Sequence, residues 1–129
     1  MNLLLDTHVA LWALVGDRRL SRDATALIAD VGNNVFVSAA SIWEIAIKHA
    51  LRGRSGIPLS ATQALQYFSA AGYTLLSVEP PHAAAVEALP PIHADPFDRM
   101  LIAQALTEPL RLLTHDRKLA NYSDTIILI

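Results

Sequence analysis

The sequence predicts an α/β fold in which helices cover both faces of a parallel sheet. Three observations carry this. Short apolar runs such as NLLL (residues 2–5) and VFVS (35–38) read as strands buried on both sides. Longer stretches between such runs carry apolar residues at helical spacing. The two kinds of segment alternate along the chain, the pattern of successive β-α-β units.

The elements follow in order. NLLL is a strand that runs into Asp6, and HVALWALV is the helix after it, broken at Gly16. Ser21 caps a second helix, RDATALIADV. VFVS is β-branched and strand-like, and SIWEIAIKHAL is a helix ended by the loop-like RGRSGIP. Ser60 opens ATQALQYFSAA, closed by Gly72, and YTLLSV reads as a strand. Pro80 and Pro81 start a helix through about Leu89, and PPIHADP separates it from a helix beginning at Pro96. LRLLTHD and TIILI supply the last two strands.

Composition bounds the function. The 129 residues fit one domain, residues 1–129, with room for one real core. Apolar residues make up 53% and charged residues 17%, so part of the apolar excess is available for an oligomer or partner interface. The absence of cysteine excludes a disulfide framework and a thiolate metal site, and makes a cytoplasmic setting the default. A net charge of −2 excludes a basic footprint over the whole molecule; a polyanion would have to be met by a local patch or by metal. The apolar N-terminus lacks a basic leader and carries Asp6 in its middle, so neither signal peptide nor membrane span is expected.

The acids stand out against this background. Asp6 follows the first strand, and Asp116 repeats the arrangement after LRLLTH. Glu44 lies in IWEIAI, a run with no other charge, six residues past VFVS. Asp98 shares a helix face with Leu101, Ile102 and Ala105, which aims it inward. Ligands of open α/β sheets bind beyond the carboxyl ends of the strands, so four acids converge on the ligand edge.

Each acid also has a local explanation. Asp95 can cap the helix that starts at Pro96, with Asp98 in its first turn. Ser41 and Glu44 match a capping box, and Lys48 lies one turn on as an ion-pair partner. Capping gives no reason for the acids to meet. Gathered like charges raise one another's pKa and cost stability unless a cation neutralises them, and oxygen donors without cysteine suit Mg²⁺ or Mn²⁺.

The segments LLLDTHVALW, SAASIWEIAIK, DPFDRMLIAQA and LLTHD resemble, in order, the four signature segments of PIN-domain ribonucleases, specifically VapC-type toxins of toxin–antitoxin pairs. The resemblance covers essentially the whole chain. It implies a PIN-like three-layer α/β/α fold with a central parallel sheet of four to five strands, and Asp6, Glu44, Asp98 and Asp116 as the quartet holding Mg²⁺ or Mn²⁺. It implies an RNA substrate (tRNA, rRNA or mRNA), a homodimer, and silencing by a VapB-type antitoxin. Metal-assisted phosphodiester hydrolysis is the chemistry such a site supports. In that scheme Asp6 and Asp98 are direct ligands, Glu44 a ligand or water-positioning base, and Asp116 an outer or second-metal group. Asp95 is a supporting or capping residue, and Thr7 and Thr114 are expected to orient carboxylates.

Lys48, Arg52 and Arg54 form a phosphate-steering patch or a solvated helix end, and Arg99 and Arg117 either touch phosphate or pair with an acid. His8, His93 and His115 lie near the acids without the spacing of a helical zinc site, which favours surface or supporting roles. Trp12, Trp43, Tyr67 and Phe68 read as core or interface. Two other readings remain at this stage: an aspartyl-phosphate phosphohydrolase, whose haloacid-dehalogenase pattern wants an acid where His8 stands, and a non-catalytic interaction domain of the same fold.

Overall fold

The computed structural model describes residues 1–51 and 56–129. Five strands, β1 (Asn2–Leu5), β2 (Asn34–Ser38), β3 (Thr74–Leu76), β4 (Arg111–Thr114) and β5 (Ile127–Leu128), form one all-parallel sheet in the order β3-β2-β1-β4-β5. The helices are α1 (Thr7–Val15), α2 (Arg22–Ala29), α3 (Ala39–Leu51), α4 (Ala61–Ala70), α5 (Pro80–Ala85), α6 (Pro96–Thr107) and α7 (Arg117–Ala120). No helix among the described residues is long and apolar enough to cross a membrane.

Side-chain alternation along the central strands divides the core in two. Leu3 and Leu5 of β1 and Leu113 of β4 pack with Val9, Ile28, Ile45 and Phe68. Leu4 and Leu112 point to the opposite face and pack with Leu101, Ile102 and Leu119. Helices α1, α2 and α4 thus cover one face, and α6 and α7 the other; α3 contributes Ile45 to the first cluster and Ala40 to the second. Strands buried on both faces explain why the sequence reads there as unbroken apolar runs.

The winding reverses at β1. From β1 the chain moves outward through β2 to β3, then returns to lay β4 on the other side of β1. The carboxyl ends of β1 and β4 therefore flank the crevice where parallel sheets place their ligands. Leu4 pairs with Leu112 and Leu5 with Leu113, and the Asp6 N–H extends the ladder by donating to the Leu113 carbonyl at 2.9 Å.

Local signals set most boundaries. Gly16 ends α1 in the left-handed conformation (φ 63°), its N–H bonded to the Trp12 carbonyl. Ser21 caps α2, and Ser60 with Gln63 forms a full capping box on α4.

Some expectations shift. Helix α3 starts at Ala39 because the Ser38 hydroxyl accepts from the Ala40 N–H (3.0 Å), so Ser41 lies inside the helix and the Ser41–Glu44 capping box does not form. The strand expected over YTLLSV is only Thr74–Leu76, since the Ser77 carbonyl turns to the Gln104 side chain (3.2 Å). The helix after Pro80 gives way to a 3-10 turn over Val86–Ala88. Helix α7, absent from the sequence reading, follows an Asp116 cap.

Candidate active site

Asp6 is the turn between β1 and α1. Only 7% of its surface is exposed, and the buried Thr114 hydroxyl at the end of β4 donates to its Oδ2 at 2.7 Å. Burial pushes the Asp6 carboxyl above the ordinary range, against the pull of that hydrogen bond. Thr114 is thus one of the expected carboxylate orienters. Thr7 is not: its hydroxyl donates to Ser41 Oγ (2.8 Å), because Thr7, one position into α1, faces the packed side of α3.

Glu44 is 3% exposed in α3. Its Oε2 accepts from the Lys48 ammonium one turn on, while its Oε1 is buried without a hydrogen-bond partner among the described residues. Burial opposes the charge on Lys48, but the bond to Glu44 and the nearby carboxylates of Asp95 and Asp98 outweigh it and hold the ammonium pKa up.

Asp95 caps α6, its Oδ1 accepting from the N–H groups of Phe97 (2.8 Å) and Asp98 (3.2 Å). Pro96 takes the first helical position, where its missing N–H costs nothing. Asp98 projects from the first turn, and its Oδ2 accepts from His93 Nε2 at 2.8 Å. Burial, reinforced by Asp6 and Asp95, pushes the Asp98 carboxyl up to about 7. Asp116 caps α7 through Oδ1 (Lys118 N–H, 2.9 Å), and its Oδ2 lies 3.8 Å from His93 Nε2.

Asp6, Glu44, Asp95, Asp98 and Asp116 therefore line a single cleft of about 350 Å³, walled by His8, Trp12, Lys48 and His115. The donor set fits a hard divalent cation: carboxylate oxygens predominate, and Glu44, whose Oε1 is buried without a partner among the described residues, lines the same cleft. Ligand atoms of His93, Asp98 and Asp116 already lie within 4.8 Å of one another. An arrangement of this kind can hold a cation against a phosphate.

Of the residues suggested for phosphate contact, Lys48 reaches the cleft wall, and Arg117 is exposed at the start of α7. Arg52 and Arg54 lie outside the described residues. The Arg99 guanidinium, the remaining candidate, donates to backbone carbonyls, among them Pro90 (3.0 Å) and Val86 (3.2 Å), and pairs with no acid among the described residues.

Two partners escape sequence reasoning in their roles. Ser41 shares a helix face with Glu44, so its three-residue spacing was a usable signal for the Thr7 bond. His93 has no such signal, because only the path of the loop before α6 brings its ring back over Asp98.

The sheet order, the reversal at β1 and the acids on both sides of it define a PIN-type architecture. Residues 3–124 match the PIN domain family, and the chain belongs to that family as a homologue of the VapC ribonucleases. It is 35% identical over 124 residues to Ribonuclease VapC22 of Mycobacterium tuberculosis, covering 94% of this chain and 92% of the relative. Among solved structures, VapBC2 from Rickettsia felis bound to a promoter DNA fragment superposes with a TM-score of 0.71 at 15% identity, covering 100% of this chain and 98% of that one. VapBC-1 from nontypeable Haemophilus influenzae gives a TM-score of 0.64 at 11% identity, with 100% and 97% coverage. These structural likenesses bear on the fold.

Proposed function

We propose that the chain is the toxin of a VapBC-type pair, an endoribonuclease that hydrolyses RNA phosphodiester bonds with Mg²⁺ or Mn²⁺ held by Asp6, Glu44, Asp98 and Asp116. The observation that carries this reading is the buried, unpartnered Glu44 Oε1 in a cleft lined by three further members of the quartet. Asp6 and Asp98 are the direct ligands in this scheme, Glu44 a ligand or the group that positions water, and Asp116 an outer or second-metal group. A divalent cation supplies Lewis acidity there, lowering the pKa of water and stabilising charge on the phosphate oxygens.

The chain's own groups do the rest. Thr114 fixes Asp6, Lys48 pairs with Glu44 and offers its remaining donors to a phosphate, and Asp95 ties down the first turn that carries Asp98. Arg117 and Arg52 are further phosphate contacts in this reading. RNA affinity accordingly falls as salt rises.

The antitoxin is proposed to occupy an apolar trough of about 1400 Å³ that shares His8, Trp12 and Lys48 with the acid cleft and runs past Leu59 to Tyr67. A segment lying there ends at the acids, where a basic side chain would meet them. The VapC22 relative and the VapBC complexes among the structural neighbours support this assignment. The homodimer is proposed to form through α3, which exposes Trp43, Ile47 and Leu51 at four-residue spacing beside Phe97, whose ring meets Trp43 edge-on at 5.0 Å. A cytoplasmic location suits an RNA substrate and a cysteine-free chain.

The test is incubation of purified protein with RNA and Mn²⁺ or Mg²⁺, beside chelator and Asp6→Asn controls. Cleavage that needs metal and is lost in Asp6→Asn is the expected result. Equal cleavage with chelator, or in the variant, refutes the reading.

A further inference from the structure

We propose that Arg99 and Tyr122 form a clamp that holds His93 against Asp98, making His93 the outer-sphere group that orients this carboxylate and Arg99 and Tyr122 positioning residues. The inference rests on the reading of the acid cleft as a divalent-cation site and assigns it three residues beyond the acids.

The segment between the 3-10 turn and α6 contains Leu89, Pro90, Pro91, Ile92 and His93, and it belongs to no helix or strand. Local backbone bonding meets the Pro90 carbonyl once, through the Ile92 N–H at 2.9 Å, and further donors come from elsewhere. Arg99 supplies them. Nη1 donates to the carbonyls of Pro90 (3.0 Å) and His93 (3.3 Å) and to Tyr122 Oη (3.3 Å), and Nη2 donates to the carbonyls of Val86 (3.2 Å) and Leu89 (3.4 Å). Every acceptor is neutral. A planar fork of donors can gather carbonyls spread over a loop, which a lysine ammonium at one point cannot.

Tyr122, beyond α7, closes the clamp from the other side. Its hydroxyl oxygen accepts from the His93 N–H at 2.8 Å while also accepting from Arg99. Both backbone polar groups of His93 are therefore held, the N–H by Tyr122 and the carbonyl by Arg99. Little is left free except the ring torsions.

The ring is delivered between two acids of different elements. Nε2 lies 2.8 Å from Asp98 Oδ2 in α6 and 3.8 Å from Asp116 Oδ2 at the start of α7. With Oδ2 engaged, Asp98 Oδ1 has no hydrogen-bond partner among the described residues and is the oxygen available to a cation. Hydrogen bonds of this kind fix the orientation of metal-binding carboxylates, and removing them costs roughly 10- to 100-fold in metal affinity. A loop staple alone would not require a histidine at the point where the loop meets the acids.

The test uses the full chain with Tyr122→Phe, which removes one oxygen atom, and with His93→Ala and Arg99→Lys. Mn²⁺ affinity is read from the electron paramagnetic resonance of the free ion, and the His93 Nε2–H from imidazole ¹⁵N–¹H spectra of the metal-free protein. The expected result is a protected Nε2–H resonance in the wild type that disappears in Tyr122→Phe, with Mn²⁺ binding weakened about tenfold or more in Tyr122→Phe and His93→Ala. Arg99→Lys is expected to behave likewise wherever it folds; Tyr122→Phe decides the matter if it does not. Unchanged Mn²⁺ affinity in both Tyr122→Phe and His93→Ala overturns the proposal, as does a directly coordinated ¹⁴N signal from His93 in the Mn²⁺ complex. A wild type that binds no Mn²⁺ refutes the cation reading, while the metal-free resonance still decides the clamp: its survival in Tyr122→Phe overturns it.

Discussion

The Thr114 hydroxyl at the end of β4 donates to Asp6 Oδ2 at 2.7 Å, joining residues 108 positions apart across the reversal of the sheet. Neither residue is accessible from outside the cleft, and the bond is the main force opposing protonation of Asp6 by burial. Replacing Thr114 by valine keeps the shape and removes the donor. Thr114→Val is expected to lower metal-free stability by about 1–3 kcal/mol, the cost of leaving a buried acceptor unpaired, and to weaken Mn²⁺ binding. Urea denaturation and calorimetric metal titration check the two effects.

Asp98 gives a pH dependence whose sign is fixed. Its carboxyl is pushed up to about 7 in the folded chain against an ordinary value near 4, so the folded state holds a proton that the unfolded state releases. The contribution is fully present below about pH 4 and is lost as the pH climbs through about 7. Asp98→Asn is expected to flatten that part of the metal-free stability profile. At pH 8 it should leave the metal-free stability unchanged or raise it, by no more than about 1 kcal/mol after solvent screening, while abolishing the rise in melting temperature that Mn²⁺ produces. Thermal scans from pH 5 to 8 with and without Mn²⁺ measure both; a large metal-free loss would make Asp98 a structural cap.

Lys48 has two jobs that substitution separates. Lys48→Met strips from the buried Glu44 carboxylate its sole partner among the described residues and is expected to cost about 1–3 kcal/mol in the absence of metal. Adding Glu44→Gln should return part of that loss, because the uncompensated charge is gone. A double-mutant cycle in urea reports the coupling, and a neutral Lys48→Met would show that the pair contributes nothing.

Trp43 tests the assembly. It is 63% exposed, with Ile47 and Leu51 continuing the stripe along α3. If the proposed homodimer forms through α3, Trp43→Glu is expected to give monomers in light scattering after size-exclusion chromatography and the wild type dimers. The metal-free melting temperature at low protein concentration should barely move.

The strands and the opening of α6 were legible because their causes are local: apolar runs buried on both faces, and an Asp-Pro start at Asp95 and Pro96. The acids were legible for a topological reason. A residue directly after a central parallel strand, as Asp6 is, or one position further on, as Asp116 is, lies on the ligand edge whatever the loops do. Helix α7 is too short to show a period, and α3 begins earlier than expected because Ser38, still in β2, supplies the cap. The partners of the acids depend on tertiary paths. His93 reaches Asp98 only because Arg99 and Tyr122 fold the preceding loop back, and Thr7 misses the carboxylates because α3 presents Ser41 to it. No spacing in the chain records the approach of His93.

The quartet spans nearly the full length of the polypeptide, from Asp6 at the first strand to Asp116 after the fourth. Any folding route that leaves β4 undocked beside β1 therefore leaves the cleft incomplete. A partly folded chain lacks both the Asp116 wall and the Thr114 bond to Asp6, so formation of the cleft reports completion of the sheet.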